Sequence, residues 1–240
     1  MDPYFRVELI AATPSPQRLV YAAMHQDYAE GFVSDEELPS EEQSGGALVR
    51  RLLAGERGHY GPLEHPQITL NVGWFPHSVM QQARTHRVGV SFDVQSGRYT
   101  GQRIVDVTLG KRSVEEVFYL RPVGSYGNRQ GKKYAYTAEQ RRMDLIVCDL
   151  AARTYTNRLY VDGFAEEHAR GLIPFDIRQH FVVSFSLRAA LHFMDLRAKL
   201  DAQDEIRQLC ELMWPHIEGW VPEVAAWYAK TRMHKARLAP

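Results

Sequence analysis

The stretch 67–74 constrains this chain most. Ile68, Leu70, Val72 and Trp74 alternate with Gln67, Thr69, Asn71 and Gly73. Successive side chains of a strand point to opposite sides, so this is a strand with one apolar and one polar face. The apolar face requires a covering layer, and the polar face leaves the strand open to a partner or a cavity. Pro76 closes the strand and opens a helix through about Arg84.

The remaining elements read around that strand. Residues 5–12 alternate and predict another strand. A helix is expected over 16–30, with Ser15 as N-cap and Pro16 at its first position. From Gln26 to Ala47 there are seven acids (Asp27, Glu30, Asp35, Glu36, Glu37, Glu41, Glu42) and no Lys or Arg, and 34–46 ends in Gly45-Gly46. That segment reads as an exposed loop whose charges are solvated. A short amphipathic helix follows over 47–55, then a turn-rich loop from Gly58 to His65. The run 85–101 is too rich in Gly, Ser and β-branched residues for a helix, 103–109 (RIVDVTL) predicts a strand, and 121–136 is loop-like with Gly124, Gly127 and Gly131. The second half predicts helices over 138–162, 163–171 (stopping before Pro174), 176–200, 203–218 and 221–230. In the first of these, Met143, Ile146, Val147, Leu150 and Ala151 recur near a 3.6 period. Strands early and helices late predict an α+β fold: a central, mostly antiparallel, twisted sheet covered by helices, with a helical C-terminal half, in one domain over 1–240.

Composition narrows the function. At 45% hydrophobic and 24% charged the chain can build a core. Its 29 Lys+Arg balance 29 Asp+Glu, and a neutral chain is a poor general binder of nucleic acid. Anion sites must then be local. Cys148 and Cys210 cannot make a four-cysteine zinc site and read as reduced, buried thiols of a cytoplasmic protein. The N-terminus lacks a basic region followed by an apolar one, so no signal peptide is expected, and no run of 18 apolar residues is present to cross a membrane.

Two segments break the charge balance. Between Arg84 and Arg103 the cations are Arg84, Arg87, Arg98 and Arg103 and the only acid is Asp93, a net of +3 before His86 is counted. Ser91, Ser96, Gly97, Tyr99, Thr100 and Gly101 are interleaved. Arginine forks, hydroxyls and glycine-exposed N–H groups are what phosphate recognition uses. The second segment sets Arg170, Arg178, Arg188, Arg197 and Lys199 against Asp176 and Asp195, again +3, with Arg188, His192 and Asp195 on one helical face. Pairing of these arginines with acids elsewhere in the chain is the competing reading. His59, Glu64, His65 and His86 invite a metal, but they lack the His-Glu-x-x-His pattern and a nearby cysteine, so no metal is expected.

The run Arg84-Thr85-His86-Arg87, eight residues, then Ser96-Gly97-Arg98-Tyr99 resembles the signature of the flavin-dependent thymidylate synthases, the ThyX family. That signature is Arg-His-Arg, seven residues and Ser, so Thr85 is inserted here and the spacer is one residue longer. His59-Tyr60-Gly61-Pro62-Leu63-Glu64-His65 resembles the family's His-x-x-Pro-x-Glu-His loop. Arg170-Gly171-Leu172-Ile173-Pro174, then Leu187-Arg188 and Leu191 to Arg197, are similar to its ARxxLP segment and the helix ending in Asn-Leu-Arg, and Ala202-Gln203-Asp204-Glu205-Ile206 to its AQxEI stretch. The matches keep the family's order over roughly residues 56–230. Ser186 and His192 stand where the family commonly has Asn, and Asp201 where it has His.

The resemblance implies conversion of dUMP to dTMP, with 5,10-methylenetetrahydrofolate as carbon donor, FAD as the flavin and NADPH as its reductant. It implies a cytoplasmic homotetramer whose active sites draw on several subunits. It assigns dUMP binding to Gln81, Arg84, Ser96, Gly97, Arg98, Arg170 and Arg197, with Arg197 set against the uracil ring as the catalytic residue. His59, His86, Arg87, Ser186, Arg188 and His192 fall at flavin positions, and His59 and Tyr99 border the face where folate and nucleotide approach. Ser96 lies in no Gly-x-Ser-x-Gly elbow, so binding is expected of it rather than nucleophilic attack. A nucleotide-binding protein of the same fold without turnover, motivated by the altered spacer, is the alternative from another class.

Overall fold

A computed structural model of the chain describes residues 1–54, 59–128 and 130–235. Gly55, the end of the expected 47–55 helix, lies outside them. So do Gly58, the first residue of the expected loop, the matched residues 56–57, and Arg129 in the 121–136 segment. The elements in chain order are β1 (Arg6–Ala12), α1 (Pro16–Gln26), α2 (Glu41–Leu48), β2 (Gln67–Pro76), α3 (His77–Ala83), β3 (Val90–Val94), α4 (Gln102–Thr108), α5 (Val114–Val117), β4 (Gly124–Gly127), β5 (Lys133–Tyr136), α6 (Ala138–Tyr160), α7 (Glu166–Ala169), β6 (Arg178–Ser186), α8 (Leu187–Arg197), α9 (Asp204–Trp220) and α10 (Pro222–Thr231).

Four strands form one sheet in the order β1-β2-β6-β3. Thr13 N bonds Gln67 O, Leu187 N bonds Pro66 O while His77 N bonds Ile177 O, and Ser186 N bonds Gly89 O while Gln95 N bonds His180 O. In each case the end of one strand meets the start of its neighbour, so every pair is antiparallel, as the α+β reading expects.

The chain divides into two compact units: residues 1–6, 73–81 and 94–181, and residues 7–72, 82–93 and 182–240. In the first unit, α6 is the backbone of the core. Its Cys148, Ala152 and Tyr155, at i, i+4 and i+7, pack with Ile104, Val105 and Val107 of α4, Val117 and Phe118. Thr137 and Gln140 form a capping box that starts α6. In the second unit, α2 packs on α1 and α10, and α9 on α8 and α10. Leu70 and Val72 of β2, Phe185 of β6, Phe193 of α8 and Ile206 of α9 are buried there.

Several sequence expectations are corrected. Residues 103–109 are not a strand: α4 takes them, because Ile104, Val105 and Val107 turn into the α6 face. The expected 176–200 helix is two elements. Phe181, Val183 and Phe185 alternate inward as β6, an inner strand, and Ser186 starts α8 by accepting from Ala189 N. A strand, β3, runs through the 85–101 segment, and β4 and β5 form a hairpin inside 121–136, with Gly124 opposite Tyr136. The acidic 34–46 segment holds α2, started by the Ser40–Gln43 capping box. Ser15 does not cap α1, since it adopts φ 46° and its side chain makes no cap bond. The Glu41 carboxylate does so instead, accepting from Gln17 N at 2.7 Å and Arg18 N at 2.8 Å. The apolar period of α6 is real but faces outward: Met143, Ile146, Val147 and Leu150 are 47, 48, 55 and 61% exposed.

Candidate functional site

In the first unit the residues from Ser96 to Thr100 form a tight turn. Tyr99 N and Thr100 N both donate to Ser96 O at 3.1 Å, the Thr100 hydroxyl donates to the same oxygen at 2.8 Å, and Arg98 N donates to Ser96 Oγ at 3.3 Å. The turn therefore holds the Ser96 hydroxyl beside the Gly97 and Arg98 N–H groups. Gly97 lets the Arg170 guanidinium lie close against the turn: a Cβ there would sit 3.2 Å from Arg170 Nη1 and 3.6 Å from Arg170 Cδ, and the exposed arginine would have to give by a few tenths of an ångström. Arg170 is exposed and makes no ion pair among the described residues. Arg98 pairs with Glu167 at 3.4 Å while both remain largely exposed, a contact of little energy that an incoming anion can replace. Tyr99 is 84% exposed, with the Arg98 guanidinium 6.0 Å from its ring centre. Gln81 is not drawn into this turn; its amide bonds His77 Nε2 at 2.7 Å, one helical turn back.

The second unit holds the rest of the expected residues. Arg197 closes α8 and is locked from one side. Its Nε donates to His86 Nε2 at 3.0 Å, and its Nη2 donates to Gln82 O at 3.2 Å and to Thr85 Oγ1 at 2.7 Å. His86 is 7% exposed and contacts the His192 and Phe193 rings. Burial foremost, then the Arg197 and His192 charges, pull its pKa from 6.5 down to about 4. The ring is therefore neutral at pH 7, with Nε2 bare to accept from Arg197 and the proton on Nδ1. Burial also lowers the pKa of Arg197 itself, which leaves it a cation.

Ser186 is buried and structural. Its hydroxyl donates to Glu64 Oε2 at 2.8 Å and caps α8, and Arg188 Nη1 reaches the other Glu64 oxygen at 3.3 Å. Glu64 thus orders two of the expected flavin residues, although sequence reasoning weighed it only as a metal ligand; its place in the quoted Glu-His loop was the available signal. His59 is exposed and bonds Asp27 at 2.9 Å. Arg84 and Arg87 are exposed and have no acid partner among the described residues.

Two residues of the second charged segment, one cation and one acid, are spent on the fold. Arg178 is 2% exposed and is consumed within the first unit by Asp2 at 2.8 Å, Glu115 O at 2.7 Å and Trp74 O at 2.8 Å. Asp195 does not share a surface face with Arg188: it is buried and bonds Tyr228 at 2.6 Å and Arg232.

The diphosphate of a flavin dinucleotide requires cations, and Arg87, exposed and without an acid partner among the described residues, and the half-exposed Arg188, oriented by Glu64, are the candidates to meet it. Among the described residues no cluster of three or more His, Cys, Asp or Glu side chains could hold a metal.

The sequence profile of the family described as "Thymidylate synthase complementing protein" matches residues 8–223. The chain is 32% identical to a flavin-dependent thymidylate synthase of Halobacterium salinarum, covering 98% of this chain and 100% of that one. It is 31% identical to that of Nitratidesulfovibrio vulgaris, covering 92% and 85%. In fold it is similar to the UMP/dUMP methylase PolB of Streptomyces cacaoi bound with 5-Br UMP (TM-score 0.72, 22% identity, 98% and 96% covered). It is also similar to Thymidylate Synthase X of Helicobacter pylori with FAD and dUMP (TM-score 0.64, 15% identity, 92% and 99% covered). With the profile running through the Glu64 loop, the Ser96 turn and the Arg197 helix, the chain belongs to the thymidylate synthase complementing protein family, that of the flavin-dependent thymidylate synthases.

Proposed function

We propose that this chain methylates dUMP to dTMP, taking the carbon from 5,10-methylenetetrahydrofolate and working with FAD and NADPH. The observation that carries the reading is the exposed Arg170 guanidinium, without an ion-pair partner among the described residues, lying against Gly97 beside the Ser96 hydroxyl. A fork, a hydroxyl and the Gly97 N–H make a cradle for a phosphate dianion. Ser96, Gly97, Arg98 and Arg170 hold the nucleotide phosphate in this reading, with Gln81 and Arg84 as further nucleotide contacts. Arg87 and Arg188 carry the flavin diphosphate. His86 and His192 line that region, Glu64 and Ser186 hold Arg188 in place, and His59 and Tyr99 border the approach of folate.

When bound, a reduced flavin would supply the hydride that the reductive methylation consumes. Arg197 acts at the pyrimidine: a fixed cation would stabilise the negative charge that develops as hydride reaches C6 and the ring becomes enolate-like. C5 loses its hydrogen as a proton.

The roles are assigned to each unit separately, and sharing of active sites among the subunits of a homotetramer is part of the proposal. The outward apolar face of α6, Met143, Ile146, Val147 and Leu150, supports self-association. We place the enzyme in the cytoplasm, which suits two free, buried thiols. Among the described residues no helix is long and apolar enough to cross a membrane.

Tritium release from [5-³H]dUMP, with methylenetetrahydrofolate, FAD and NADPH, tests the reading, with UMP run alongside. Release dependent on all three co-reactants is the expected result. Tight dUMP binding without release would instead make the chain a nucleotide-binding protein of the same fold.

A further inference from the structure

The family's Arg-His-Arg run is interrupted here by Thr85, and the second unit gives that extra residue a task. Its hydroxyl donates to Gln82 O at 2.7 Å, so the hydroxyl hydrogen is spent and the oxygen is left as an acceptor. Arg197 Nη2 uses it at 2.7 Å and reaches the same Gln82 carbonyl at 3.2 Å. The three groups close a ring of hydrogen bonds whose donor directions are all determined. His86 Nε2 takes a third Arg197 hydrogen, from Nε. Of the five guanidinium hydrogens, the two on Nη1 keep no acceptor among the described residues.

Further out, the Gln82 side chain bonds Gln203, and Gln203 bonds Glu205 at 2.7 Å. The Ala202–Ile206 motif thus braces the helix end that carries the carbonyl. A β-branched residue suits the clamp, because Thr has few χ1 choices and its oxygen stays where the ring needs it.

We infer that Thr85 is a positioning residue: with His86 and the Gln82 carbonyl it holds the Arg197 guanidinium in one orientation, and so presents the Nη1 edge to a carbonyl-bearing substrate. The inference rests on the placement of Arg197 at the pyrimidine ring. Three donors spent on protein acceptors cost Arg197 its rotational freedom before substrate arrives, and a preorganised donor pair is worth more to a developing anion than a mobile one.

Thr85→Val removes the oxygen at nearly constant shape, Thr85→Ala removes it with the methyl group, and Thr85→Ser returns it. In the tritium-release assay kcat is expected to fall about tenfold in Val and Ala, as the loss of one charge-assisted bond. KM for dUMP should stay within about twofold, flavin absorbance should be unchanged, and Ser should restore kcat to within about threefold. In parallel, ¹⁵N NMR of the arginine side chains should show the Arg197 guanidinium rotating slowly in the wild type and in Ser, and freely in Val and Ala. Wild-type kcat in Val, a loss that only follows flavin content or Tm, failure of Ser to rescue, or unchanged Arg197 rotation each overturns the inference. Arg197→Ala is the separate control. Full turnover there removes the catalytic reading of Arg197, while the NMR comparison still decides whether the clamp exists.

Discussion

Acid should expose the burial of His86. Its pKa of about 4 in the folded chain, against 6.5 for a free side chain, means that the unfolded chain takes up a proton over a range where the native one does not. Stability from this residue is therefore complete above pH 6.5 and is lost as pH falls through 6.5 towards 4. At about 1.4 kcal/mol per pH unit the full loss is about 3 kcal/mol. Integrating the two titrations puts about 2 kcal/mol of it between pH 7 and pH 5. His86→Gln keeps an oxygen acceptor for Arg197 and cannot titrate. Packing against the Phe193 ring, 4.9 Å away, is changed, so the variant starts less stable at pH 7. The wild type must then lose its lead on acidification, by about 2 kcal/mol at pH 5. Urea unfolding at a series of pH values, at equal flavin content and with m unchanged, reads this directly. His180, whose pKa burial also lowers, contributes equally to both proteins and drops out of the difference. Two stability curves that stay parallel from pH 7 to 5 would mean that His86 is not desolvated, and the neutral-acceptor account of the Arg197 contact would fall with it.

Other outcomes follow from the same geometry. Asp2→Ala should cost about 3 kcal/mol, since it strips the carboxylate from Arg178 at the buried end of β6 and leaves a guanidinium that water cannot reach; a midpoint shift below about 0.5 kcal/mol in urea would show the charge is satisfied elsewhere. Gly89→Ala should destabilise by about 2 kcal/mol, because φ is +67° and a Cβ would lie 2.5 Å from the Ser186 hydroxyl that caps α8. Thermal unfolding measures it, and a neutral substitution would mean the turn relaxes freely. Val147→Glu with Leu150→Glu on the outward face of α6 should lower the molar mass in light scattering while leaving circular dichroism intact. An unchanged mass would take that face out of the assembly.

Local pattern was enough wherever one element satisfied its own requirements. The alternation in 67–74 gave β2, Pro222 marked the start of α10, and the apolar period over 138–162 marked α6, which ends at Tyr160. The charge clusters singled out Arg98, Arg170 and Arg197 as candidates, and it was the family motifs that joined them with Ser96 and Gly97 into one proposed set. Packing decided the rest. RIVDVTL is rich in β-branched residues, and its helix exists because α6 offers Cys148, Ala152 and Tyr155 at helical spacing, with Tyr155 so close to Gly101 that a Cβ there would meet its hydroxyl at 2.0 Å. No sequence rule says that the apolar stripe of α6 turns outward while a sparser stripe turns in. Nor does spacing reveal that Arg178 is buried against Asp2 and that Arg197 is held by Thr85 and His86, more than 100 residues earlier in the chain. Residue types announce which chemistry a chain can perform; which guanidinium is spent on the fold and which is left for a ligand depends on partners distant in sequence, and only folding brings those within hydrogen-bond reach.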